Sequence, residues 1–298
     1  MGSTSFSWNL PADFQQMWSY AFMVNAFRAG AVVAVVSGAV GWFVVLRRQT
    51  FAAHTLSVVA FPGAAFATLA GFALSLGYFG FGLAAALVVA ALQRGDSRAR
   101  GGESAAVGVV QAFLLACGYL FMALCKGLLE GPQALLFGSF LGITDGQVVL
   151  LAVAGLVVLA ALAVVGRPLL FASVDLDVAA ALGVPVRALS TVFLVLLGAT
   201  TAEAAQITGA LLVFALMVLP AATAQALTAR PAHGLLLAVA VGFAVTWTGL
   251  IAAYYWNYPL GFFVTSFAFA LFLLAHGFRA LRSAAGRGRV GPVTAGAA

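Results

Sequence analysis

Apolar runs long enough to cross a bilayer recur along this chain, and nearly all of its basic residues fall in alternate breaks between them. Of the 14 Lys and Arg residues, twelve occupy every second break or the C-terminal tail: Arg47, Arg48, Arg94, Arg98, Arg100, Arg167, Arg187, Arg230, Arg279, Arg282, Arg287 and Arg289. Only Arg28 and Lys126 fall on the opposite side. A helix needs about 20 apolar residues to span the hydrocarbon, and short loops rich in Lys and Arg stay cytoplasmic. The alternation therefore both counts the spans and orients them. Spans are expected near Ala29–Leu46, Thr55–Leu76, Gly77–Leu92, Ala105–Leu124, Val148–Val165, Leu189–Ala202, Ala205–Leu227, Leu235–Tyr255 and Gly261–Phe278. The third and sixth are short, which marks them as partial or broken helices. Nine crossings place the N-terminus outside and the C-terminus inside, and removing one would split the Arg-bearing loops between the two faces.

Composition narrows the fold class. The 298 residues are 64% hydrophobic and 7% charged, with a mean hydropathy of +1.11. A soluble domain carries about a quarter charged residues, so a water-facing surface is untenable and an all-α, polytopic integral membrane protein is expected. Three regions follow: an interfacial N-terminal segment over 1–28, a transmembrane domain over 29–278, and a basic cytoplasmic tail over 279–298 expected to be disordered. Trp8, Phe14, Trp18, Tyr20 and Phe22 suit aromatic anchoring of the first region. The net charge of +6 is spread over inner loops, where anionic lipid or a cytoplasmic protein is the natural counterpart and nucleic acid is not. Cys117 and Cys125 offer no disulfide framework. No basic residue precedes Arg28, so no cleavable leader is expected.

Small residues recur at helical spacing, as Ala34, Gly38 and Gly41 in the first span and Gly63, Ala67 and Gly71 in the second. Such stripes let helix backbones approach closely, although abundant alanine produces similar patterns by chance. Pro62 and Pro220 sit inside spans, where each frees a carbonyl and bends its helix. They read either as packing kinks or as the bends of two helices lining a water-accessible route, and Pro62-Gly63 suits the second reading better.

Between the fifth and sixth spans, Arg167–Arg187 carries a compact helix signal. Asp175 suits an N-cap and Asp177 the first turn, while Gly183 stops the helix two residues before Pro185. A short cytoplasmic helix is either a plain connector or a shape that a soluble partner grips.

The chain lacks an engine of its own. A P-loop needs Gly-Lys followed by Ser or Thr, whereas the single lysine, Lys126, precedes Gly127. Asp13, Asp96, Glu103, Glu130, Asp145, Asp175 and Asp177 read as loop residues, and Glu203 as a residue of the outer turn between the sixth and seventh spans. Without an acid deep in the membrane, a proton relay is not expected. The energy for any transport must then arrive from another subunit.

The stretch from Val44 to Gly63, Val-Val-Leu-Arg-Arg-Gln-Thr-Phe-Ala-Ala-His-Thr-Leu-Ser-Val-Val-Ala-Phe-Pro-Gly, resembles the permease subunits of zinc/manganese-type ABC importers. Their matching segment runs Val-Leu-Arg-Arg, then Phe-x-Gly-Asp-Ala-Leu-Ser-His, then Leu-Pro-Gly. Asp175–Gly183, continuing through Arg187, resembles the family's cytoplasmic coupling helix. Gly209–Ala224 resembles its Leu-Pro-Ala-Ala-Thr-Ala span, and Leu135–Gly138 adds a weaker match. The matches follow one another from the first span to the eighth.

The resemblance implies a permease domain over 29–278, in the cell membrane and paired as a homodimer. A cytoplasmic ATP-binding subunit is expected at Asp177, Ala180, Leu182 and Gly183, and an extracytoplasmic metal-binding protein would deliver the cargo. That cargo is expected to be a divalent transition metal, zinc first and manganese or iron second, with no resident cofactor. The family's metal-contacting Asp corresponds to His54 and its His to Val58, so one donor has changed type and the other is gone. His54 is thus a candidate metal residue, and Glu203 a candidate attractor at the outer mouth. Val58, Pro62, Gly63 and Pro220 are candidates for the transport route. His54 reads equally as a residue facing water near Arg47 and Arg48. His233, His276, Cys117, Cys125 and Met217 read as ordinary loop, interfacial or packing residues. The alternative to an ATPase-driven subunit is a self-sufficient carrier or channel. Protease mapping of right-side-out vesicles is expected to leave 176–182 protected; cleavage there from outside would overturn the orientation.

Overall fold

A computed structural model describes residues 15–93, 100–125, 142–256 and 258–287, and among them every regular element is helical. In chain order the helices are α1 (Ala21–Leu46), α2 (Thr50–Ala70), α3 (Leu74–Leu92), α4 (Arg100–Leu124), α5 (Asp145–Val174), α6 (Leu176–Ala181), α7 (Val186–Thr208), α8 (Ala210–Leu227), α9 (Pro231–Tyr255) and α10 (Leu260–Arg287). Eight are long and apolar enough to cross a membrane: α1 to α5, α7, α9 and α10. The apolar stretch of α8, Leu212–Leu227, is shorter.

The boundaries differ from the expectation where polar residues sit inside helices. α1 begins at Ala21, not Ala29, because Asn25 finds a partner: its Nδ2 donates to the Ile143 carbonyl at 3.1 Å. α5 runs for 30 residues, so Arg167 lies within a helix and not in a loop. Its exposed side chain has the reach to place its charge at the membrane edge. Thr144 starts α5 with a capping box, accepting from the Gln147 amide while the Gln147 side chain accepts from the Thr144 amide. The sixth span is the full 23-residue α7, and its neighbour α8 is the short one. α10 continues through Arg287, into the region expected to be a tail. Residues 1–14, Arg94, Asp96, Arg98, Lys126, Glu130, Leu135–Gly138 and Arg289 lie outside the described residues.

α1, α2 and α7 are mostly buried, whereas α4, α5 and α10 turn most of their surface outward. Phe27, Phe61, Phe193, Leu56, Leu194 and Leu197 fill the centre. Because lipid tails are as apolar as leucine, close packing and not water exclusion must hold such helices together. Glycine supplies the closeness at several crossings. A methyl group at Gly38 would lie 2.8 Å from the Val239 Cα, and one at Gly198 would lie 2.7 Å from the Gly82 carbonyl. Gly63 and Gly77 each occupy the space where the other's Cβ would stand, joining α2 to α3, and Gly41 sits on the Met217 carbonyl of α8. Of the two small-residue stripes, only Gly71 plays no such part; it terminates α2 at a φ of 76°.

Overpacking a closed crossing costs about 1–3 kcal/mol. Gly77→Val is therefore expected to lower the melting temperature in detergent. Gly80→Ala, on an open face of the same helix, should leave it unchanged or slightly raised.

Candidate functional site

α1 and α2 are joined by a tight turn that starts from helix-termination chemistry. The Gln49 amide donates to the Val44 carbonyl and the Arg48 amide to that of Val45, a Schellman closure that requires a left-handed residue between. That residue is Arg48, at a φ of 57°, where glycine is usual; the steric cost is about 1–2 kcal/mol. α2 leaves this turn at Thr50 and carries His54 on its second turn.

The His54 ring is half-buried and meets the Phe214 ring of α8 edge-on, with centroids 5.1 Å apart at 78°. It therefore packs between two helices instead of facing water beside Arg47 and Arg48. Ser57 spends its hydroxyl on the Ala53 and His54 carbonyls, and Thr55 donates to Gln111 of α4 at 2.8 Å. Val58 follows His54 by one turn on the same face and is buried. Pro62 packs its backbone against Gly118 of α4, and Gly63 against Gly77 of α3. Pro220 lies near Gly242 of α9. The sequence-predicted route residues are thus all buried, on two helices that touch at His54 and Phe214. Pro62-Gly63 and Pro220 face different neighbours and are not brought together.

Glu203 is the largest departure. It is 1% exposed within α7, five residues before the helix ends. The chain turns at Gly209, whose φ of 75° and ψ of 157° suit only glycine. Gly209 is the signal that would have placed Glu203 inside the span. Neither carboxyl oxygen has a hydrogen-bond partner among the described residues. A methyl group at Gly155 of α5 would stand 3.0 Å from Oε1, 2.8 Å from Val36 and 3.1 Å from Val32 of α1. Glu203 is therefore a buried helical residue and not one of an exposed turn, and the bundle does hold an acid.

Among the described residues, no group of three or more His, Cys, Asp and Glu comes together to hold a metal ion. His233 and His276 are exposed, Cys117 and Cys125 are free thiols, and Met217 is core packing.

The second feature is α6. Asp175 caps it, its Oδ1 accepting from the Val178 amide at 3.0 Å. Gly183, at a φ of 81°, closes it, with Val184 donating to Ala179 and Gly183 to Ala180. Only Ala179 is buried within the helix. Leu176, Val178 and Leu182 are 55%, 45% and 70% exposed, and Asp177, Ala180 and Gly183 are exposed beside them.

The model of the ABC 3 transport family matches residues 19–279. The chain belongs to that family. It is a permease, a transport subunit held in the cell membrane by multiple spans. Among its relatives, the manganese transport system membrane protein MntC of Halalkalibacterium halodurans is 28% identical, with 90% of each chain covered. The chelated iron transport system membrane protein YfeC of Yersinia pestis is 31% identical over 87% of each. The solved structure of PsaBC from Streptococcus pneumoniae in complex with Fab superposes with a TM-score of 0.80 at 26% identity, covering 92% of this chain and 99% of that one.

In this permease, α6 keeps its shape by its own caps, since its contacts with the bundle are few. Asp175→Ala is expected to destabilise α6 by about 1 kcal/mol. Faster hydrogen exchange at amides 178–181, with the flanking spans unchanged, would register the loss.

Proposed function

We propose that this permease moves a divalent transition metal into the cytoplasm, driven by a separate ATP-binding subunit that docks on α6. The observation that carries the reading is α6 itself: a rigidly capped helix of six residues presenting Leu176, Val178 and Leu182 to its surroundings. Exposed apolar side chains on a short, capped helix suit a protein contact. Asp177, Ala180, Leu182 and Gly183 form the contact, and α6 lies inside the cell, with the N-terminus outside and the C-terminus inside. The single lysine stands before glycine, which gives the chain no P-loop of its own and makes the partner necessary. An extracytoplasmic metal-binding protein delivers the cargo to a pair of permease copies.

Manganese and iron rank ahead of zinc. An imidazole taken alone suits zinc better than manganese, which supported the first ranking. The relatives' names point the other way, to manganese and chelated iron, and one donor on a transit route need not set selectivity. His54 is assigned the metal-facing role, because it occupies the contact of α2 with α8. Val58, Pro62 and Gly63 on α2 and Pro220 on α8 belong to the walls of the route. Glu203, buried five residues before the end of α7, keeps its assignment as a metal-attracting carboxylate toward the outer side. The 29–278 stretch remains the permease domain, joined at its start by the first turns of α1.

The decisive experiment measures manganese, iron and zinc uptake in cells with and without the ATP-binding subunit. Uptake should vanish without it and should also vanish on Ala180→Pro, which breaks α6. His54→Ala should reduce uptake by about tenfold or more, on the scale that even outer partners of a metal site contribute. Gradient-driven flux through the purified permease alone would overturn the reading.

A further inference from the structure

Arg47 is a half-buried cation whose guanidinium is held by hydroxyls. It caps the end of α1, and its Nη1 donates to Ser173 Oγ at 3.2 Å while its Nη2 donates to Ser190 Oγ at 2.9 Å. The guanidinium carbon stands 5.4 Å from the centre of the Phe193 ring, within range of a cation–π attraction. Nε is buried and has no hydrogen-bond partner among the described residues. Burial pulls its pKa below the ordinary value, yet a guanidinium stays charged at any physiological pH.

The placement of the two serines gives this geometry its meaning. Ser173 is the penultimate residue of α5, and Ser190 lies on the opening turns of α7. The chain between them is α6 with its caps. A single side chain therefore ties both attachment points of α6 to the turn that launches α2. That turn is stiff, because Arg48 holds a left-handed backbone and two helix-closing hydrogen bonds span it. His54 follows seven residues after Arg47 on α2.

We infer that Arg47 is the positioning residue that carries displacement of α6 into α2, and so links the ATP-binding subunit to the metal route. The inference rests on α6 being the docking helix. The donor set suits a moving joint. Arginine offers a planar fork that reaches two hydroxyls at once, which a lysine ammonium on its flexible stem does not reproduce. Its partners are neutral hydroxyls, so each bond can be remade in a second arrangement; a buried carboxylate partner would make rupture far costlier.

The test uses the assembled transporter in proteoliposomes, with permease, ATP-binding subunit and binding protein present. Two variants are compared with wild type: Arg47→Lys, and the double Ser173→Ala, Ser190→Ala, which removes only the hydroxyls. Both are expected to co-purify with the ATP-binding subunit and to hydrolyse ATP at the wild-type rate. Manganese moved per ATP hydrolysed should fall by about tenfold or more, the scale of losing hydrogen bonds to a charged group. Unchanged manganese per ATP in both variants would overturn the role of Arg47 and leave the docking helix standing. Loss of the complex in both would also overturn it, by reducing Arg47 to a structural brace. If Ala180→Pro leaves the wild-type complex intact, the docking reading itself fails, and that outcome is separate from either variant's behaviour.

Discussion

Helices in hydrocarbon gain nothing by hiding leucine from leucine, so this bundle depends on backbones that come close enough to touch. Gly63 against Gly77, Gly82 against Gly198, Gly38 against Val239 and Gly41 against Met217 are the places where they do. These contacts tie α2 and α7 to α3, and α1 to α8 and α9. The same close approach fixes the face that α2 presents to α8. His54 meets Phe214 because Gly63 and Gly118 hold the far end of α2 against α3 and α4. The route residues inherit their positions from the glycines, not from any bond of their own.

Fold class and most spans were legible because hydropathy and basic residues vary on the length scale of a bilayer. α6 was legible to the residue, since Asp175, Asp177 and Gly183 are local signals whose chemistry needs no tertiary partner. What escaped was whatever a distant partner decides. Asn25 fell in the segment read as interfacial, and the Ile143 carbonyl 118 residues away makes its burial tolerable. Glu203 looked like a turn residue because a carboxylate in hydrocarbon is expensive, and the space left by Gly155 on another helix is invisible in a linear reading. Arg47 was counted as one more loop charge, and its hydroxyl partners lie 126 and 143 residues away.

The basic end of the bundle thus does two different things with arginine. Exposed Arg167, Arg187 and Arg230 are free to lean toward headgroups and mark the side on which they lie. Arg47 is drawn inward and spends its charge on two serines and a phenylalanine ring. A topological tally treats these residues alike. Their environments do not: an outward arginine costs little to move or replace, whereas Arg47 joins the end of α5 and the start of α7 to the turn before α2.

The departure at His54 and Val58 has a consequence for how a metal passes. Under the proposed function, the resemblance sets His54 where the family has Asp and Val58 where it has His, so this level of α2 carries an imidazole and no carboxylate. A neutral imidazole attracts a divalent cation less strongly than a carboxylate and does nothing to balance its charge. Passage through a route requires binding that is strong enough to admit the ion and weak enough to release it. Under that proposal an imidazole against Phe214 lies toward the weak end of that range, and capture falls more to a delivering protein. In such an arrangement the task of α2 is to move more than to hold, which is the task that the proposed link from α6 through Arg47 would serve.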